Sequence, residues 1–173
     1  MSKGFTFIET ILVVGIIAIL AGIALASFLN SRNTRDLITS RQSVISLLRL
    51  AQAKTLAGED GSVWGVHLEQ AQAVLFRGAS YASATYTNAF TLPQTVEIII
   101  PPSLTGGGSD VIFAALSGET GQDGSFTMRI KGSSSLSSSV VIEKTGKVSE
   151  SQSSTPVPTG TRIFDTRHRS YNL

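Results

Sequence analysis

The sequence predicts an α+β fold, one long N-terminal helix followed by an antiparallel β-domain. Three observations carry that prediction. Residues 10–31 hold no charged side chain, and about 22 residues are enough for a helix to cross a hydrocarbon core of about 30 Å. Beyond them, apolar residues recur at threes and fours through Leu37, Ile38, Val44, Ile45, Leu47, Leu48 and Ala51, the period of a helix with one packed face. After Ser62 the period falls to two, in short runs bounded by Gly, Pro and Ser, which is the pattern of strands and turns. Helix first and strands after is an α+β order.

Composition bounds the rest. The 173 residues give room for the helix and one domain of about 120 residues. There is no cysteine, so disulfides, thiolate metal sites and cysteine nucleophiles are excluded. A net charge of +2 is mild and falls short of a dedicated nucleic-acid binder. The low charged fraction of 15%, with abundant Ser, Thr and Gly, suits an exported β-rich surface.

The helix opens after Lys3 and Gly4, with Glu9 as a lone acid at the start of the apolar run. An unpaired acid costs about 2.5–3.5 kcal/mol at the centre of a membrane helix and less near an end, so a partner for Glu9 is expected. Gly15, Ala18, Gly22 and Ala26 fall at i, i+3, i+7 and i+11, a stripe of small residues of the kind that lets helices in lipid approach closely. From residue 30 to residue 56 charges return: Arg32, Arg35, Asp36, Arg41, Arg49 and Lys54 alternate with the apolar residues; Arg32 and Arg35, just past the apolar run, are read as a solvated polar face, with lipid headgroups as the alternative contact. Gly58 fits the C-terminus, with Lys54 in the last turn. The result is one helix of roughly 50 residues. By charge bias alone, Arg32 and Arg35 would favour the cytoplasmic side.

Strands are expected at Val63-Trp64-Gly65-Val66-His67-Leu68 and at Ala73-Val74-Leu75-Phe76, its hairpin partner. Residues 78–88 read as a looser stretch. Further strands are expected at 96–100, stopped by Pro101-Pro102, and at 111–115, 126–131, 140–143 and 147–149. Residues 151–158 form a Ser/Thr/Pro linker, and in the closing segment Ile163-Phe164 reads as a late edge strand.

Gly4-Phe5-Thr6-Phe7-Ile8-Glu9, followed by an apolar helix, resembles the prepilin signal of type IV pilins and type II secretion pseudopilins. The resemblance implies cleavage after Gly4 by a prepilin peptidase, N-methylation at Phe5, and an assembly role for Glu9 against the freed amine of a neighbouring subunit. It implies a pilin-like fold: a leader at 1–4, a membrane and assembly half at 5–31, an amphipathic half at 32–58, an antiparallel β-domain at 59–150, and a linker with a closing edge at 151–173. Leu50-Ala51-Gln52-Ala53, Trp64-Gly65-Val66 and Val140-Val141-Ile142-Glu143 with Thr145-Gly146-Lys147-Val148 more narrowly resemble the H-type minor pseudopilin domain. The implied partners are other pilin or pseudopilin subunits, the peptidase and methyltransferase, and the membrane before assembly. The implied location is the cytoplasmic membrane, single-pass with the C-terminal domain outside, and then a filament. The family's anchor often carries a proline near its outer end; here none occurs before Pro93.

The rival reading is a secreted or anchored β-domain that binds a ligand, since Ala24-Leu25-Ala26 is a small-x-small site a general signal peptidase can cut. An enzyme is not expected. His67 and His168 stand alone in sequence, and Asp165 near His168 has no marked nucleophile to serve. Asp110, Glu119 and Asp123 lie in Gly-rich loops but lack the spaced calcium-loop pattern. Gly106-Gly107-Gly108 lacks a following Lys-Ser/Thr, so no phosphate cradle is expected. No cofactor or metal is expected. Arg162, Arg167, Arg169 and Tyr171 are the residues suited to a polyanion such as DNA, although a solvated edge explains them as well.

Overall fold

In the computed structural model, which describes residues 6–133 and 136–151 except for the side chains of 24–27, 29 and 30, one helix, α1 (Phe7–Leu56), runs unbroken for 50 residues. At 1.5 Å per residue it is about 75 Å long. Thr6 is its N-cap, in extended conformation, and the Thr6 hydroxyl accepts from the Glu9 N–H at 3.4 Å. The chain turns out of the helix at Gly58, whose φ of 63° is left-handed and favours glycine. Lys54, in the last turn, pairs with Glu59 and sits over the Trp64 ring at 4.5 Å, a cation where the helix dipole favours one.

Among the described residues, nine strands follow: β1 (Trp64–Leu68), β2 (Gln72–Arg77), β3 (Tyr86–Thr91), β4 (Val96–Ile98), β5 (Ser103–Leu104), β6 (Asp110–Ile112), β7 (Gly124–Ile130), β8 (Ser137–Ile142) and β9 (Val148–Ser151). They form two sheets, not one. The first has the order β3-β2-β1-β6; the second has β4-β7-β8-β9, with β5 also on β7. All pairings are antiparallel. Residues 86–91, within or just past the stretch read as loose, are the edge strand β3. Its residues Tyr-Thr-Asn-Ala-Phe-Thr are mostly exposed, so they lack the alternation that burial of one face imposes.

Among the described residues, only the second half of α1 meets the sheets. Leu37, Val44, Leu48, Ala51 and Thr55 are buried, spaced seven, four, three and four apart, which is a single helical face. Opposite them, β7 buries Phe126, Met128 and Ile130 in alternation, and β1 buries Trp64, Val66 and Leu68. The Thr55 hydroxyl accepts from the Trp64 N–H at 2.8 Å, tying the end of the helix to the first strand.

Polar side chains clamp the rim of this core. Gln52 Nε2 donates to the Gly118 carbonyl at 2.9 Å. Arg41 donates to Ser138 Oγ at 2.8 Å and pairs with Glu150 at 2.9 Å, and Arg49 donates to the Val148 carbonyl at 3.2 Å. Arg41 is half-buried by these contacts, whereas Arg49 stays exposed. Their long stems carry the guanidinium groups past the apolar stripe to the edge of the second sheet.

Candidate assembly surface

Among the described residues, the first half of α1 packs against no other element. Every side chain described from Phe7 to Ile23 is exposed. Eleven of them are large and apolar, between 44% and 82% accessible: Phe7, Ile8, Ile11, Leu12, Val13, Val14, Ile16, Ile17, Ile19, Leu20 and Ile23. Burying such a side chain is worth about 1.5–3 kcal/mol. Leaving the group half-exposed in water forfeits roughly 10 kcal/mol in sum, as much as a whole domain's stability of about 5–15 kcal/mol. This surface requires an apolar environment.

Gly15 and Gly22 have no atom within 4 Å of where a Cβ would stand, and Ala18 is exposed. Nothing among the described residues requires these positions to be small. The side chain of Ala26, the fourth member of the stripe, and residues Gly4 and Phe5 lie outside the described residues. Among the described residues, no helix is long and apolar enough to cross a membrane; the uncharged run of the sequence continues through the six positions from 24 to 30 whose side chains are not described.

Glu9 is exposed at the third position of α1. Thr6-Phe7-Ile8-Glu9 has the spacing of a capping box, in which the N-cap hydroxyl takes the N3 amide, and that half of the box is formed. The sequence carried this signal as Thr-x-x-Glu. The Glu9 carboxylate has no hydrogen-bond or ion-pair partner among the described residues.

The β-domain gathers two polar clusters that sequence position hides. His67 Nδ1 lies 2.5 Å from Asp110 Oδ1, the His67 ring stacks on Tyr81 at 4.1 Å, and Asp110 Oδ2 accepts from the Tyr81 N–H at 3.0 Å. Asp110 thus ties the Tyr81 loop to His67. Among the described residues no three His, Cys, Asp or Glu stand together as a metal site. Glu97 is buried and receives Arg129 Nε at 2.7 Å and Gln70 Nε2 at 2.8 Å. Those hydrogen bonds, Arg129's first, hold its carboxyl below the usual range by favouring the charged form. Both clusters join residues tens of positions apart, which no local pattern announces. Arg162, Arg167, Arg169, Tyr171 and His168 lie outside the described residues.

No protein-family model matches this chain, and no curated protein matches it. Among solved structures, it is similar to two of the minor pseudopilin EpsH from the type II secretion system of Vibrio cholerae. The first has a TM-score of 0.51 at 16% identity, covering 66% of this chain and 95% of that one. The second has the same score and identity, covering 68% and 94%. At that identity the likeness shows the fold: a helix packed on antiparallel sheets, as in a pseudopilin.

Proposed function

We propose that this chain is a structural subunit of a secretion pseudopilus or type IV pilus and not an enzyme. It is cut after Gly4, N-methylated at Phe5, held in the cytoplasmic membrane as a single pass with its β-domain outside, and then moved into a filament. The observation that carries this reading is the bare half of α1. It is too apolar for water, is continuous with a docked half, and begins at an unpartnered acid. The pseudopilin-like fold supports the pseudopilus of the two assemblies.

Lipid covers the bare half before assembly, and the same half of neighbouring subunits covers it afterwards. The exchange trades one apolar environment for another, so it is decided by close packing at Gly15, Ala18, Gly22 and Ala26 and by polar contacts. Cleavage frees an α-amine at Phe5, cationic below about pH 8. Pairing that amine with Glu9 of a neighbour turns a cost in one helix into a contact between two. The processing partners are a prepilin peptidase and methyltransferase.

Mass spectrometry of the native N-terminus tests the processing. N-methyl-phenylalanine at position 5 is expected; a chain beginning at Ser27, or an uncut one, overturns the reading in favour of a shed or anchored β-domain. Glu9→Ala should leave cleavage intact and lower incorporation into sheared filaments at least tenfold, about 1.4 kcal/mol of lost contact. Equal incorporation refutes the amine–carboxylate pair.

A further inference from the structure

The loop from Ala114 to Glu119 is tied down at every step. The Ala114 N–H donates to the Glu119 carbonyl at 2.8 Å, the Gly118 N–H to the Ala114 carbonyl at 2.9 Å, and the Ser117 N–H to the Ala115 carbonyl at 2.9 Å. From α1, Gln52 holds the Gly118 carbonyl. Leu116 stands at the apex with a φ of 71°. A left-handed residue spanned by an i to i+2 hydrogen bond is the strained form of the γ-turn, and a bulky side chain there is an outlier that glycine would relieve. That side chain is 94% exposed, the highest value among the large apolar residues described. Strain held in place by its surroundings points to a functional position. A rigidly held apolar side chain loses little freedom on docking, so Leu116 has the form of a knob made to be received.

A receptor of matching chemistry lies on the same chain. Between α1 and β3, Leu47, Leu50 and Phe90, with Ser43 and Ser46, line a groove of about 390 Å³, and Leu50 is 44% exposed. The loop lies on the other side of the helix, with Gly118 against Gln52 and Leu56. At 3.6 residues per turn, these two positions stand about 120–140° around α1 from Leu47 and Leu50. A loop tied to one flank cannot fill a groove on the other, so a contact between them joins separate copies. Such a contact is heterologous, and its repetition builds an open helix, not a closed pair.

We propose that Leu116 of one copy docks into the groove of Leu47, Leu50 and Phe90 on the next copy, as the contact between outer domains in the filament. The docking rests on the subunit function proposed above, and the levels of the two contacts agree. An amine freed next to Thr6 meets Glu9 of a neighbour when the start of one α1 stands level with Glu9 of the other, a step of about three residues, or 4.5 Å along parallel helices. The loop is level with Gln52 and Leu56 of its own copy. On the raised copy it is then level with residues 49–53, where Leu50 is open. One axial step therefore serves both the contact at the foot of the rod and the contact at its head.

The chain has no cysteine, so the contact can be trapped in filaments of the full chain. Leu116→Cys combined with Leu50→Cys, treated with a short bismaleimide, should give a ladder of dimers, trimers and longer chains. Each single variant should stay monomeric, as should Leu116→Cys combined with Ser151→Cys at the exposed end of β9. Dimers from Leu116→Cys alone would show a two-fold contact, and cross-links to a different protein another kind of subunit; either overturns the docking of like copies. Leu116→Gly gives a second reading, because it removes the knob while relieving its backbone. The Tm of the full chain in detergent should not fall, whereas recovery in sheared filaments should drop at least tenfold. Equal recovery, or a lowered Tm, refutes the knob. Filaments that carry the double-cysteine chain yet yield only monomers overturn the docking alone; a wild-type chain that never enters filaments overturns the subunit function and the docking with it.

Discussion

Leu48→Ala tests the joint on which the architecture rests. Leu48 is fully buried, in the cluster that also holds Val66, Phe113, Phe126 and Ile142, so α1 and both sheets share the cavity its truncation leaves. Leucine-to-alanine changes in packed cores cost about 2–5 kcal/mol. For a domain of about 120 residues, each kcal/mol lowers Tm by roughly 3–5 °C. A loss near the middle of that range, about 3 kcal/mol, corresponds to a drop of roughly 10–15 °C. Leu50, two residues on, is 44% exposed, and Leu50→Ala should cost less than about 1 kcal/mol. The readout is built in. Trp64 is the chain's single tryptophan and is 3% exposed at the meeting of α1 and β1, so its emission reports the loss of that joint on heating the full chain in detergent. Equal shifts for the two variants, or a loss below about 1 kcal/mol for Leu48→Ala, would refute the packing argument.

Two further changes probe the rim and the buried acid. Gly146 has a φ of 79°, and a Cβ there would stand 2.0 Å from the Gly118 carbonyl and 2.4 Å from Gln52 Nε2. Gly146→Ala therefore combines a left-handed cost of about 1–2 kcal/mol with loss of the Gln52 clamp. Gly121→Ala, where a Cβ meets nothing, should be near neutral; equal Tm values for the two would sink the reading. Glu97's carboxyl is held below its ordinary value of 4.5 in the fold. Its stabilising contribution is thus complete above that value and is lost as pH falls through the lower, folded one. Thermal melts should show Glu97→Gln below wild type at neutral pH, with the gap closing in strong acid. A gap that stays constant with pH would show that the carboxylate's charge is not what matters.

How much of this was legible depended on the range of each interaction. α1 reads directly from sequence, because an uncharged run followed by apolar residues at threes and fours leaves a helix as the economical solution, and Gly58 marks its end. The β1–β2 hairpin reads as well, since Trp64, Val66 and Leu68 alternate against one core. β3 does not: Tyr86, Asn88 and Phe90 share a face with little burial, so nothing forces a hydrophobic rhythm. The division into two sheets is equally silent, because strand order depends on which runs meet across long loops. For a related reason, the sequence hides the partners of Arg41 and Arg49. Their Cα atoms sit beside the apolar stripe, but their charged ends are satisfied by Ser138, Glu150 and Val148, about a hundred residues away. On the candidate surface, the apolar half and Glu9 were legible, and the Thr6 cap was present as Thr-x-x-Glu.

The unbroken course of α1 has a mechanical meaning. No proline interrupts it, and Arg41, Arg49 and Gln52 bolt the sheets to its far half. Rotating the rod by one residue's step, about 100°, swings the outer domain through the same angle, and drawing it one turn lifts the domain by about 5.4 Å. Whatever grips the greasy end thereby steers the face that the other end shows to the outside.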